Sequence, residues 1–132
     1  MLQAYVTGLS VAEGQDIAFP KVERIGTTVT GAIGSTTIQL NAPGVYMVSF
    51  NATGTTTAAG TFGFQMQRDG VAVPQAQASA TTAAGDSAGV AFSTLMSVNR
   101  CCQSANGVVL SFRYTGGAGT VNLANVVVTK VR

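Results

Sequence analysis

The sequence predicts an all-β domain, a sandwich or barrel of short antiparallel strands, on three observations. Thr, Val and Gly are abundant while Leu, Glu and Lys are scarce, a balance that suits strands and turns rather than helices. Short runs of alternating apolar and polar residues recur, separated by turn residues. The chain has 132 residues, the size of one domain with a real core.

Strands are expected near residues 3–9, 36–40, 45–52, 61–68, 71–78, 89–98, 108–114 and 120–131, with one or two shorter ones in 17–30. In TIQLNAPGVYMVSFNAT, Thr37 to Thr53, one alternating run ends at Pro43-Gly44 and a second begins at once. The second run turns Tyr46, Val48 and Phe50 to one face, yet Val45 and Met47 opposite are apolar too. Phe62, Phe64 and Met66 share a face against Gly63, Gln65 and Gln67. Asp69-Gly70 within FGFQMQRDGVAV reads as a hairpin turn, and Pro74 just after it marks an edge strand or the end of pairing. Val90, Phe92, Met96 and Val98 line up in the next strand, and Val108, Leu110, Phe112 and Tyr114 in the one after. Each of these is a half-buried strand with one wet side. The last strand, VNLANVVVTKVR, places Val121, Leu123, Val127 and Val131 on one face and Ala124, Val126 and Val128 on the other. GTTTAAG, TTAAGDSAG and TGGAGT read as loops, too short to link domains.

Two strands are therefore apolar on both sides. In a two-layer domain the second sheet covers only one of them, and no helix is predicted. Burying a Val or Met side chain is worth about 1.5–3 kcal/mol. Only 9% of residues are charged, against about 25% in an ordinary soluble domain, so little keeps such a face in water. Another copy of the same chain is the expected cover, with Val45, Met47, Ala124, Val126 and Val128 at the interface.

The residues Ile38, Leu40, Pro43, Gly44, Tyr46, Ser49 and Phe50, then RDGVAVPQAQA, then the apolar last strand, resemble the jelly-roll of complement-type globular heads and tumour necrosis factor-like domains. The similarity runs from about Ile17 to the end. It is closer to bacterial members such as the C-terminal heads of collagen-like exosporium glycoproteins, and to similar phage or prophage structural proteins. The resemblance implies a β-sandwich of about ten strands in two antiparallel sheets, assembled as a tight homotrimer. It also implies that the strand after Pro43-Gly44 and the C-terminal strand lie in the sheet facing the three-fold axis. Residues 1–16 are then an N-terminal strand and attachment segment beside a core of residues 17–132. The 132 residues hold no Gly-X-Y collagen period, and no acidic cluster matches the calcium site of some relatives.

Little in the sequence could carry catalysis. There is no His, which excludes His-based triads and metal sites and the usual general base near neutrality. Glu13, Asp16, Glu23, Asp69 and Asp86 are isolated from one another. Asp69 belongs to its turn; Glu13 and Asp16 fit a solvated loop better than a cation site. The Gly-rich stretches lack phosphate-cradling spacing and a following helix with Lys. Asn51-Ala52-Thr53 has the form of a glycosylation acceptor but reads most simply as a strand end. No cofactor is implied. The net charge of +2 comes from scattered residues, with no basic stripe for nucleic acid. No apolar run approaches the roughly 20 residues that span a bilayer.

Cys101-Cys102, in NRCCQSANG, is the unusual pair. Two free thiols, a strained vicinal disulfide, bridges between subunits and a shared metal at a three-fold axis are all open. The N-terminus MLQAYVTGLS has no basic n-region and no long apolar stretch. The expectation is a compact product brought to a virion, spore or cell surface by assembly, attached to a coat protein through its N-terminus. The expected role is non-catalytic structural display. The competing role is a receptor- or carbohydrate-binding module using the polar loops 54–60, 81–87, 100–107 and 115–119. A third, a lone enzyme subunit, lacks acid–base residues.

Overall fold

The computed structural model describes residues 1–26, 28–31, 33–98 and 108–132. Ten strands run through these residues: β1 Leu2–Val11, β2 Lys21–Arg24, β3 Val29–Thr30, β4 Thr37–Leu40, β5 Gly44–Thr56, β6 Gly60–Arg68, β7 Val71–Thr82, β8 Ser87–Val98, β9 Val108–Tyr114 and β10 Gly119–Lys130. They form two five-stranded antiparallel sheets, ordered β2-β1-β10-β5-β8 and β3-β4-β9-β6-β7.

Alternation puts one face of each sheet into a shared core. Tyr46, Val48, Phe50 and Ala52 of β5 point inward, as do Phe62, Phe64 and Met66 of β6 and Leu110, Phe112 and Tyr114 of β9. Phe50 sits between the layers, stacked on Phe92 at 5.1 Å and Phe112 at 5.0 Å and tilted against Phe64 at 4.9 Å. Tyr114 meets Phe62 and Phe64 edge-on at 5.7 and 5.3 Å. The phenols Tyr46 and Tyr114 reach the rim of the core, donating to the Ala42 and Gly117 carbonyls at 2.6 and 2.5 Å.

Turn chemistry sets the register. Asp69 and Gly70 both have positive φ, 51° and 83°, between the paired residues Arg68 and Val71. This is the hairpin that the Asp-Gly pair predicts. The Asp69 carboxylate also accepts the Val109 amide at 3.0 Å, tying the turn to β9. Pro74 lies in β7, an edge strand, where its missing N–H costs no ladder bond. At Pro43-Gly44 the end of β10 closes over the chain. A Cβ on Gly44 would lie 2.4 Å from the Arg132 carbonyl oxygen, and its φ of 150° disfavours any other residue.

Three strands outrun the sequence reading. β5 continues to Thr56, β7 to Thr82, and β8 starts at Ser87. The Thr/Ala/Gly stretches that read as loops by composition pair in register, Gly54 with Ala88 and Thr61 with Thr81. Region 17–30 supplies β2 and β3. Just before it, residues 14–17 extend the β4 edge along β9, with Ile17 N–H on Phe112 O and Tyr114 N–H on Gln15 O, both 2.8 Å. That path delivers Ile17 and Phe19 to the core. Within residues 1–16, β1 lies between β2 and β10 and buries Leu2, Ala4, Val6 and Val11.

Candidate self-association face

The outward face of the first sheet is where the chemistry of this chain is unusual. Across β1, β10, β5 and β8 the only charged residue is Lys130. It pairs with the inward Tyr46 at the end of β10, so it does not project from this face. The edge strand β2 adds Lys21 and Glu23.

Pairing register arranges the outward residues in rows. Tyr5, Asn125, Asn51 and Ala91 lie side by side, and Gln3, Val127, Ser49 and Ser93 form the next row. The Gln3 amide donates to Asn125 Oδ1 at 3.0 Å, linking the two rows. Thr129, Met47 and Leu95 make a third row, and Thr7, Leu123 and Thr53 a row at the other end. The middle of the face is thus small and amide-rich, with apolar side chains towards both ends. Met47, Leu95 and Leu123 are 45%, 57% and 39% exposed, and Met1, Ile25 and Val131 border the same face, also exposed. Large apolar side chains grouped on a face whose four longest strands project no charge are not the scattered exposure of an ordinary surface.

The structure separates the residues expected at the interface. Met47 projects from this face and Val45, half-buried, lies on the same side of β5. Ala124, Val126 and Val128 do not: all three are fully buried in the chain's own core. The cause is a β-bulge. β10 pairs Val121 with Gly54 and Leu123 with Thr53, leaving Asn122 extra. A bulge residue reverses which side chains point inward. Val121 and Ala124 therefore both face the core, and the outward set becomes Leu123, Asn125, Val127 and Thr129. Gly54 opposite the bulge leaves the space it needs, since a Cβ there would lie 2.3 Å from the Thr120 carbonyl oxygen.

Elsewhere two carboxylates serve the fold, Asp69 in its turn and Asp16 beside β9. Asp16 meets Arg113 Nε at 3.3 Å, which separates it in purpose from Glu13. Among the described residues no three His, Cys, Asp or Glu side chains gather into a metal site. No helix among them is long and apolar enough to cross a membrane. Cys101 and Cys102, and with them loop 100–107, lie outside the described residues. The other three polar loops gather at one end of the sandwich. Thr57 N–H and Oγ1 both donate to the Ala118 carbonyl, at 3.0 and 3.1 Å, and Gly85 N–H donates to Thr56 O at 2.9 Å.

Two sheets with these orders, β1 and β10 adjacent at the centre of one and β9 and β6 at the centre of the other, define the topology. Compared with solved structures, the chain superposes on the globular domain of zebrafish complement 1qA protein with a TM-score of 0.68 at 10% identity, covering 96% of this chain and 94% of that one. The fold is the jelly-roll of complement heads and tumour necrosis factor-like ligands. Murine APRIL matches with a TM-score of 0.66 at 12% identity, over 95% of this chain and 96% of the other. The same jelly-roll recurs in the PRD1 phage vertex protein P5, with a TM-score of 0.53 at 16% identity over 99% and 96% of the two chains. No family model and no curated protein sequence matches the chain. At these identities the shared property is the jelly-roll itself, and in it β5 and β10 are neighbours in one sheet, as the resemblance implies.

Proposed function

We propose that this chain is a non-catalytic homotrimeric module that decorates a phage virion or a bacterial spore or cell surface. The observation that carries this reading is the outward face of the first sheet, uncharged across β1, β10, β5 and β8, with Met47, Leu95 and Leu123 left in water on a single copy. Covering those side chains with sister copies removes the cost of their hydration. The jelly-roll likeness to a complement head and to a phage vertex protein supports a display role. Glycan binding is the weaker alternative: loop residues 57–59, 83–86 and 115–118 contain no aromatic side chain on which a sugar could stack.

Charge placed on the face tests the assembly. Met47→Asp with Leu95→Asp leaves the single-chain core intact, because both side chains are exposed in it. The expected result is a folded monomer by sedimentation velocity where the parent sediments as a trimer. An unchanged oligomer refutes this face as the interface. The setting is tested by the genes beside the coding sequence, where capsid or coat genes are expected.

A further inference from the structure

The outward face of the second sheet carries a cleft that lies apart from the proposed assembly face. Val29 and Leu40 form a buried pair, so Thr30 and Gln39, paired with each other, face outward from β3 and β4. Thr37 does the same, next to the buried Ile38. With Gly31 and Ser35 these residues line a cleft of about 490 Å³, and Arg24 closes its rim from the β2 edge of the first sheet. Arg24 pairs with Leu2, whose buried side chain marks the inward side of that strand, whereas Glu23 pairs with Gln3 on the opposite side. The cleft therefore receives the cation without the adjacent carboxylate. Among the described residues Arg24 makes no ion pair.

The lining is biased towards hydrogen-bond donors. Thr30 Oγ1 already accepts from Asn41 Nδ2 at 3.0 Å, which leaves the Thr30 proton to give. Ser35 Oγ accepts the Thr37 amide at 3.1 Å and shares one hydrogen bond with Thr37 Oγ1 at 3.0 Å, so one of the two hydroxyl protons stays unspent. Arg24 donates from Nη1 to the Gly26 carbonyl at 3.3 Å and keeps its other N–H groups. A guanidinium offers only donors and a carboxylate only acceptors, so a carboxylate is the complement of this end of the cleft. The volume falls within the range of about 300–1,000 Å³ typical of small-molecule sites, more than a bare oxyanion fills. Beyond Arg24 the lining side chains are hydroxyls and an amide, which match a hydroxylated ligand rather than an apolar one.

We propose that this cleft binds an acidic saccharide, with a sugar carboxylate on Arg24 and ring hydroxyls among Thr30, Thr37 and Gln39. The site shares no residue with loops 57–59, 83–86 and 115–118, and it needs no sister copy. The test is a titration of the labelled protein with sodium glucuronate, with glucose and with inorganic phosphate, followed by amide NMR at constant ionic strength. Glucuronate is expected to shift the Arg24, Thr30 and Thr37 signals saturably. Glucose, the same ring without the charge, is expected to leave them in place. Arg24→Gln, a change at an exposed position, is expected to weaken glucuronate binding about tenfold or more and to leave the melting temperature unchanged. Thr37→Val, which removes one hydroxyl, is expected to weaken it about threefold. No saturable shift with glucuronate, equal binding of glucose, or unchanged affinity in Arg24→Gln overturns the site. Phosphate bound as tightly as glucuronate overturns the saccharide as its ligand.

Discussion

Phe50 lies where the two layers meet, stacked on Phe92 and Phe112 and against Phe64. Replacing it by Ala opens a cavity that its neighbours cannot fill, and the loss is expected to be about 3–5 kcal/mol, read as a lowered denaturation midpoint. The rim phenols give the fold an alkaline limit. Burial raises the pKa of both Tyr46 and Tyr114 above the ordinary phenol value. A group raised in the folded state keeps its proton longer there than in the unfolded chain. Its contribution is therefore whole below the unfolded value of about 10 and is lost as pH rises through the folded value. Thermal melts are expected to be flat in this respect below pH 9 and to fall above about pH 10, with a shallower fall in Tyr46→Phe. These residues were legible from the sequence, because each stands in an alternating run, whereas Phe19, equally inward, stands outside any strand.

At the level of elements, legibility stops where pairing departs from strict alternation. The Asp69-Gly70 hairpin and the edge placement of β7 follow from residue chemistry, since positive φ and a missing N–H are local properties. The bulge at Asn122 is not local. It depends on Gly54 across the ladder and on the close approach of Thr120 to it. Missing it assigned Ala124, Val126 and Val128 to the wrong side, although β10 itself was correctly read as apolar on two faces. Composition misled in a second way. Thr, Ala and Gly at the ends of β5, β7 and β8 resemble loop residues but extend the ladders, because a paired backbone needs no large side chain. Deleting Asn122 provides the corresponding test. Without the extra residue, one half of β10 must slip and turn its core residues outward. The expected result is loss of cooperative folding by near-ultraviolet dichroism and calorimetry, whereas Asn122→Ala, which keeps the count, folds normally.

For the molecule as a whole, the sandwich accounts for one side of each sheet and leaves the outward side of the first to be explained. Across β1, β10, β5 and β8 that side is bare of charge and carries apolar side chains at both ends around a small, amide-rich centre. The second layer cannot reach it. Sister copies of the chain are the proposed cover, and the proposed display role would use the three described loops that gather at one end. Mass in solution tests this most directly. Multi-angle light scattering on the purified chain is expected to give three times the 13.3 kDa of one copy, held on dilution into the low micromolar range. A particle of a single chain's mass, with Met47 and Leu95 open to water, contradicts the account.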